Sequence, residues 1–128
     1  MEYGLSEKHI SMIKRYFELD QNVKEVILFG SRATNSYRNG SDIDFAVKIE
    51  DHSKILNIKM GLNELPTLYS FDVVDYERIT SKNFKDEIDK TGIIFYKRPS
   101  TLQRIFLILI DTSKKNLILL KKLIKRLN

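Results

Sequence analysis

Four short runs with strand character constrain this chain most: VILF at 26–29, FAVKI at 45–49, FDVVDY at 71–76 and IIFY at 93–96. The stretches between them carry helical spacing or turn residues. A continuously apolar run that ends in a glycine, as VILF does at Gly30, is the pattern of a strand covered on both faces. Ser6 and Glu7 suit the start of a helix in which Ile10, Ile13 and Phe17 recur at helical spacing to about residue 19. Ser53 is placed to cap a second helix with Ile55, Ile58, Leu62 and Leu65 on one side, closed off by Pro66. Ser81 is placed to cap a third, with Phe84 and Ile88 inward and Gly92 at its end. The predicted order is helix, strand, short helix or loop, strand, helix, strand, helix, strand. That order predicts an α/β (α+β) fold, a small mixed sheet flanked by helices.

Charge divides the chain where this pattern stops, at Pro99-Ser100. Residues 1–98 carry 15 Lys/Arg against 16 Asp/Glu, a net of −1, whereas residues 99–128 carry 7 against 1, a net of +6. We therefore expect a domain at 1–98 and a basic amphipathic helical tail at 99–128. Leu120, Leu123, Ile124 and Leu127 form the tail's apolar stripe. The pI of about 9.4 belongs to that tail, so nucleic-acid binding by the domain is not expected. The tail's basic stripe suits packing on its own domain or on a partner better than on a membrane. No cysteine is present, so neither disulfides nor cysteine-held zinc are available. No apolar run nears the roughly 18 residues of a membrane span, and the N-terminal MEYGLSEKHI lacks a signal-peptide pattern. A cytoplasmic location is the expectation.

The chemistry concentrates in GSRATNSYRNGSDIDFAV, residues 30–47. Gly30 lets a backbone approach a ligand closely, and the Ser31 hydroxyl suits a phosphate oxygen. In Ser41-Asp42-Ile43-Asp44 the period of a strand puts both aspartates on one face. Carboxylate oxygens are hard ligands of the kind Mg²⁺ takes, together with substrate phosphates. No EF-hand continuation follows Asp44, and the chain contains neither GxGxxG nor a GxxxxGK[ST] loop. A further strand offers Asp72, and a third carboxylate beside the pair would complete a two-metal site for in-line displacement at phosphorus.

This stretch resembles the signature of the nucleotidyltransferase superfamily that includes DNA polymerase β. It most resembles the minimal nucleotidyltransferases, the antitoxin halves of two-gene prokaryotic modules whose partner is a HEPN-domain ribonuclease toxin. The resemblance covers about residues 20–97. It implies a polymerase β-like fold in which Gly30, Ser31 and Ser41 hold the nucleotide triphosphate. Asp42 and Asp44 would bind two Mg²⁺ ions, and Asp72 would complete the trio. It also implies transfer of AMP from ATP to a hydroxyl, expected to be a tyrosine of the toxin, with release of pyrophosphate and a hetero-oligomeric complex. One departure is Asn35, where the family usually has glycine; asparagine tolerates the left-handed conformation.

Asp75 is the rival third carboxylate. It lies three residues from Asp72 and so on the opposite face, near the strand end where solvent is expected to reach it. Asp72, in mid-strand and early in the family's pattern, is the choice. Arg32 directly follows Ser31 and is placed to neutralise phosphate; Arg38 is a weaker candidate and Tyr37 is expected to pack the loop down. Neither His9 nor His52 has partners at metal spacing, and no histidine serves Ser31 as a nucleophile. Two rival functions remain at this level: a catalytically silent antitoxin that binds its partner, and a nucleotidyltransferase acting on a small molecule such as an aminoglycoside, or on RNA.

Overall fold

The computed structural model of the chain describes residues 1–110 and 117–127. The elements in order are α1 (Glu7–Glu18), β1 (Val23–Phe29), β2 (Ile43–Ile49), α2 (Ile55–Asn63), β3 (Phe71–Asp75), α3 (Lys82–Thr91), β4 (Ile93–Lys97), α4 (Thr101–Ile110) and α5 (Leu117–Leu127). Single 3₁₀ turns at Gly30–Arg32, His52–Lys54 and Tyr76–Arg78 link them. The chain divides into two compact units, Met1–Arg98 and Pro99–Asn128.

Within the first unit the strands form one mixed sheet in the order β3-β2-β1-β4. β1 pairs antiparallel with β2 and with β4, and β2 pairs parallel with β3. The expected α/β class and mixed sheet are therefore what the chain adopts. Capping follows the chemistry of the turns: the Ser6 side chain accepts from the His9 N–H, and the Ser81 side chain from the Phe84 N–H. Ser53 does not act as a cap. Its place is taken by Asp51, which accepts from the Ser53 N–H and starts the 3₁₀ turn at His52 before α2 begins.

Period two sorts the sheet into two faces. Val26, Leu28, Ile43, Phe45, Val47, Phe71, Val73 and Phe95 point to one side, where Ile10, Ile13 and Phe17 of α1 and Ile58 and Leu62 of α2 cover them. Phe45 is at the centre, with ring centroids 5.4 Å from Phe17 and 5.0 Å from Phe95. On the other side, α3 approaches β1: Phe84 meets the Phe29 ring edge-on at 5.5 Å, and a Cβ at Gly92 would strike the Ile27 side chain. Asp44 and Asp72 also belong to this second face, beyond the area that α3 covers.

The second unit comprises α4, α5 and the segment joining them. Residues 111–116 and 128 of the expected tail lie outside the described residues, as does the side chain of Leu120 in its apolar stripe. Among the described residues no helix is long and apolar enough to cross a membrane.

Candidate active site

The sheet register brings the aspartates together. Asp44 is the second residue of β2 and pairs across the parallel ladder with Asp72, the second residue of β3. Neighbouring strands lie about 4.8 Å apart. Two carboxylates at equivalent positions on one face therefore feel each other directly. Asp42 sits just before β2 on the same side, exposed. On its other flank Asp44 pairs with Phe29, the last residue of β1. The 3₁₀ turn that opens at Gly30 thus begins beside the carboxylates.

Gly30 is required here for two reasons. Its φ is +74°, a left-handed value that side chains rarely adopt, and a Cβ would collide with the Asp44 carboxylate. The turn is closed by the Ala33 and Thr34 N–H groups donating to the Gly30 carbonyl at 3.1 and 3.2 Å. Asn35 takes φ +61°, the left-handed conformation expected of it. The Ser31 hydroxyl has no hydrogen-bond partner among the described residues.

The Asp44 carboxyl is held above the usual carboxylate range. Partial burial contributes most, then the negative charges of Asp72 and Asp42; Arg32 pulls it partly back. The positive group acting on Asp44 in this structure is thus Arg32, which does so from a buried position. Its residue exposure is 3%. Nη1 donates to the Tyr3 carbonyl at 2.9 Å, while Nη2 and Nε donate to the Ser41 carbonyl at 2.8 and 3.3 Å. Its guanidinium carbon lies 5.2 Å from the Tyr37 ring centroid and 5.1 Å from that of Tyr69. In place of the expected direct contact with phosphate, Arg32 ties down the loop that delivers Asp42, with Tyr37 packed against it. Ser41 takes part in the same loop, its hydroxyl accepting from the Arg38 N–H at 2.8 Å. Arg38 itself is exposed.

Asp72 and Asp75 lie on opposite faces, but their surroundings reverse the expectation. Asp72 is the exposed one: its side chain is 52% accessible and meets Lys59 Nζ of α2 at 3.3 Å. Asp75, expected to reach solvent, has a side chain only 7% accessible; it lies 2.6 Å from His52 Nδ1, and its Oδ1 is buried without a hydrogen-bond partner among the described residues. The cause is that α2 and its leading turn cover the Asp75 side of β3, whereas the Asp72 side is left open. The role of His52 as Asp75's partner was invisible in sequence, because 23 residues separate them.

Among the described residues no three acidic or histidine side chains converge at metal-binding spacing. The donor set nevertheless suits Mg²⁺: three hard carboxylates share one face, and Asp44's ionisation is opposed by its neighbours, a repulsion that a cation relieves. In this structure Asp72 Oδ1 is engaged by Lys59.

Residues 11–101 match the family model described as polymerase beta, nucleotidyltransferase. Among curated proteins none matches the chain. In fold the chain is similar to a solved chain described as a toxin-antitoxin with AMP-PNP, at 19% identity, over 95% of this chain and 97% of that one, with a TM-score of 0.56. It is likewise similar to a chain of the toxin-antitoxin MntA-HepT, at 16% identity, over 94% and 97%, with a TM-score of 0.54. At such identities the likeness is one of fold.

Proposed function

From the premise that this chain belongs to the polymerase β nucleotidyltransferase family, we propose that it transfers AMP from ATP to a hydroxyl of a partner protein, a HEPN-type toxin that it neutralises. The observation that carries the reading is the register match of Asp44 with Asp72, with Asp42 two residues before. A protein that only bound its partner would have no use for that mutual repulsion.

Asp42, Asp44 and Asp72 would hold Mg²⁺. Such ions, when bound, neutralise triphosphate charge and favour displacement at the α-phosphorus. The protein's own groups do the rest. Gly30 admits the triphosphate close to the backbone, and the Ser31 hydroxyl donates to a phosphate oxygen, with the Ser41 hydroxyl at the loop's other end. Arg32 stays buried and fixes the loop. The acceptor oxygen forms a bond to the α-phosphorus as the bond to the bridging oxygen breaks; pyrophosphate leaves with that electron pair. The acceptor's proton passes to Asp72, which the open side of β3 leaves within reach of an incoming hydroxyl.

The acceptor in this reading is a second protein, because residues 1–98 are taken up by the sheet and the helices that cover it. The similar folds described as toxin-antitoxin structures, one with AMP-PNP, support a toxin as that protein and an adenine nucleotide as donor. A tyrosine hydroxyl is the proposed acceptor. A second reading, an antitoxin that acts by binding alone, has one observation in its favour: Asp72 is engaged by Lys59 rather than turned to its fellow carboxylates.

Transfer of label from α-³²P-ATP with Mg²⁺ onto the co-purified partner separates the two. Labelling that vanishes in Asp42→Ala/Asp44→Ala supports the transferase. Absence of labelling, with an equally tight complex from both proteins, supports the binder. Absence of both label and complex directs the search to small-molecule or RNA acceptors.

A further inference from the structure

A cavity of about 310 Å³ is lined by Phe29, Gly30 and Thr34 and, from α3, by Phe84, Glu87, Ile88 and Thr91. Residues 84, 87 and 91 recur on one side of a helix. Helical periodicity predicts Phe84 inward, yet it is 37% exposed, its ring edge-on to Phe29. The Glu87 carboxylate has no hydrogen-bond or ion-pair partner among the described residues, and the Thr91 hydroxyl donates to the Glu87 backbone carbonyl at 2.8 Å. The volume is at the small end for ligand sites, enough for a nucleobase and part of a sugar but not a whole nucleoside triphosphate.

The geometry points to this slot as the nucleobase subsite, selecting a base with an exocyclic amino group, with Phe84 as the stacking surface and Glu87 as the residue that reads the base edge. The inference rests on the nucleotidyltransferase reading above, because Gly30 is shared between the slot and the proposed triphosphate path. Three features fit a base in particular. The slot is walled by aromatic rings, and a base offers a flat π-face to them. An ionised carboxylate only accepts hydrogen bonds, so Glu87 rewards a base edge that donates, as the amino group of adenine does, and opposes a carbonyl there. The slot also continues from the glycine at which the phosphates would lie, so one nucleotide spans both. A larger cavity, about 520 Å³ around His52, Asp75 and Arg78, shares Phe84 with the slot, but its lining does not include Gly30.

The test is isothermal titration of the full chain with ATP and with ITP in Mg²⁺ buffer; ITP replaces the amino group by a carbonyl. Wild type is expected to bind ATP at least about tenfold more tightly than ITP, the scale of one well-made or opposed base contact. Glu87→Gln, whose amide both donates and accepts, is expected to bring that ratio close to one. Phe84→Ala is expected to weaken both nucleotides about tenfold while keeping the ratio. Thermal melts confirm that each variant folds, as a half-exposed Phe and an exposed Glu permit. Equal binding of ATP and ITP by wild type, unmoved by Glu87→Gln, would place the base elsewhere while leaving the transferase intact. Binding of neither nucleotide would overturn the transferase reading and the subsite together.

Discussion

Gly30 and Gly40 form a matched pair of probes for the site. Both have left-handed backbones, φ +74° and +83°. A Cβ at Gly40 meets nothing within 4 Å, whereas one at Gly30 collides with the Asp44 carboxylate. The backbone cost is the same for both alanine variants, about 1–2 kcal/mol for an L-residue in the left-handed region. For a domain of this size that lowers Tm by about 5–10 °C. The collision adds little to stability, because the obstacle is the far end of a side chain that is free to rotate. Its consequence is for chemistry: the rotation takes Asp44 away from Asp42 and Asp72. A misplacement of about 1 Å in a reacting constellation is worth about 100-fold in rate. We therefore expect Gly30→Ala and Gly40→Ala to melt within a few degrees of each other. Gly40→Ala should keep Mn²⁺ binding, read by electron paramagnetic resonance without nucleotide, and AMP transfer. Gly30→Ala should lose both by about two orders of magnitude. Measuring the ion alone separates the carboxylate's displacement from any blockage of the triphosphate path. Equal Mn²⁺ affinity in the two variants would refute the claim that Gly30 exists to make room for Asp44.

Three further outcomes follow from the same site. Arg32→Ala leaves the Tyr3 and Ser41 carbonyls without their donor and should cost about 2–6 kcal/mol in urea denaturation, at about 1–3 kcal/mol for each buried group left unsatisfied, with Arg32→Lys recovering only part. Asp44, whose carboxyl is raised in the folded state, stabilises the fold fully only below the ordinary carboxylate pKa, and that contribution is lost as pH rises through the folded value. Asp44→Asn should accordingly raise Tm at neutral pH in chelator-treated protein, and the advantage should disappear on acidification to about pH 3, below the ordinary Asp pKa of about 3.9. Lys59→Met frees Asp72 from its cation, so Mn²⁺ should bind several-fold more tightly, on the scale of about 1 kcal/mol for an exposed ion pair; unchanged affinity would show that Lys59 does not compete.

Much of this architecture could be read from periodicity. The strands, α1 and α3 appear where apolar spacing and capping residues put them, because those signals act within a few residues of chain; α2 follows its apolar spacing but is led in by the turn that Asp51 caps and ends at Asn63, short of Leu65. What escaped the sequence are contacts made across it. Nothing local announced that Arg32 would be buried between Tyr37 and Tyr69, or that Lys59 would reach Asp72. The accessibility of Asp72 and Asp75 was misjudged because it depends on which side of β3 receives α2. Phe84 looked like a core residue because its spacing is helical. Its partial exposure arises because α3 covers only part of the second face and stops short of the aspartates. The aspartates themselves were legible as a pair at 42 and 44, while the parallel register that aligns 44 with 72 emerged only from the folded sheet.

That register also has a consequence for assembly. Asp44 and Asp72 are separated by the whole of α2 and its flanking loops, so in an unfolded chain their charges are far apart and the repulsion hardly exists. It appears only when β3 adds to β2, making that pairing the step of sheet formation that like charge opposes. Divalent cations that bind the closed trio and not the open chain would then act as folding ligands, adding about 2.7 kcal/mol at a concentration a hundred times their dissociation constant. Refolding yield in such ions and in chelator would differ for the wild type and converge once the aspartates are replaced.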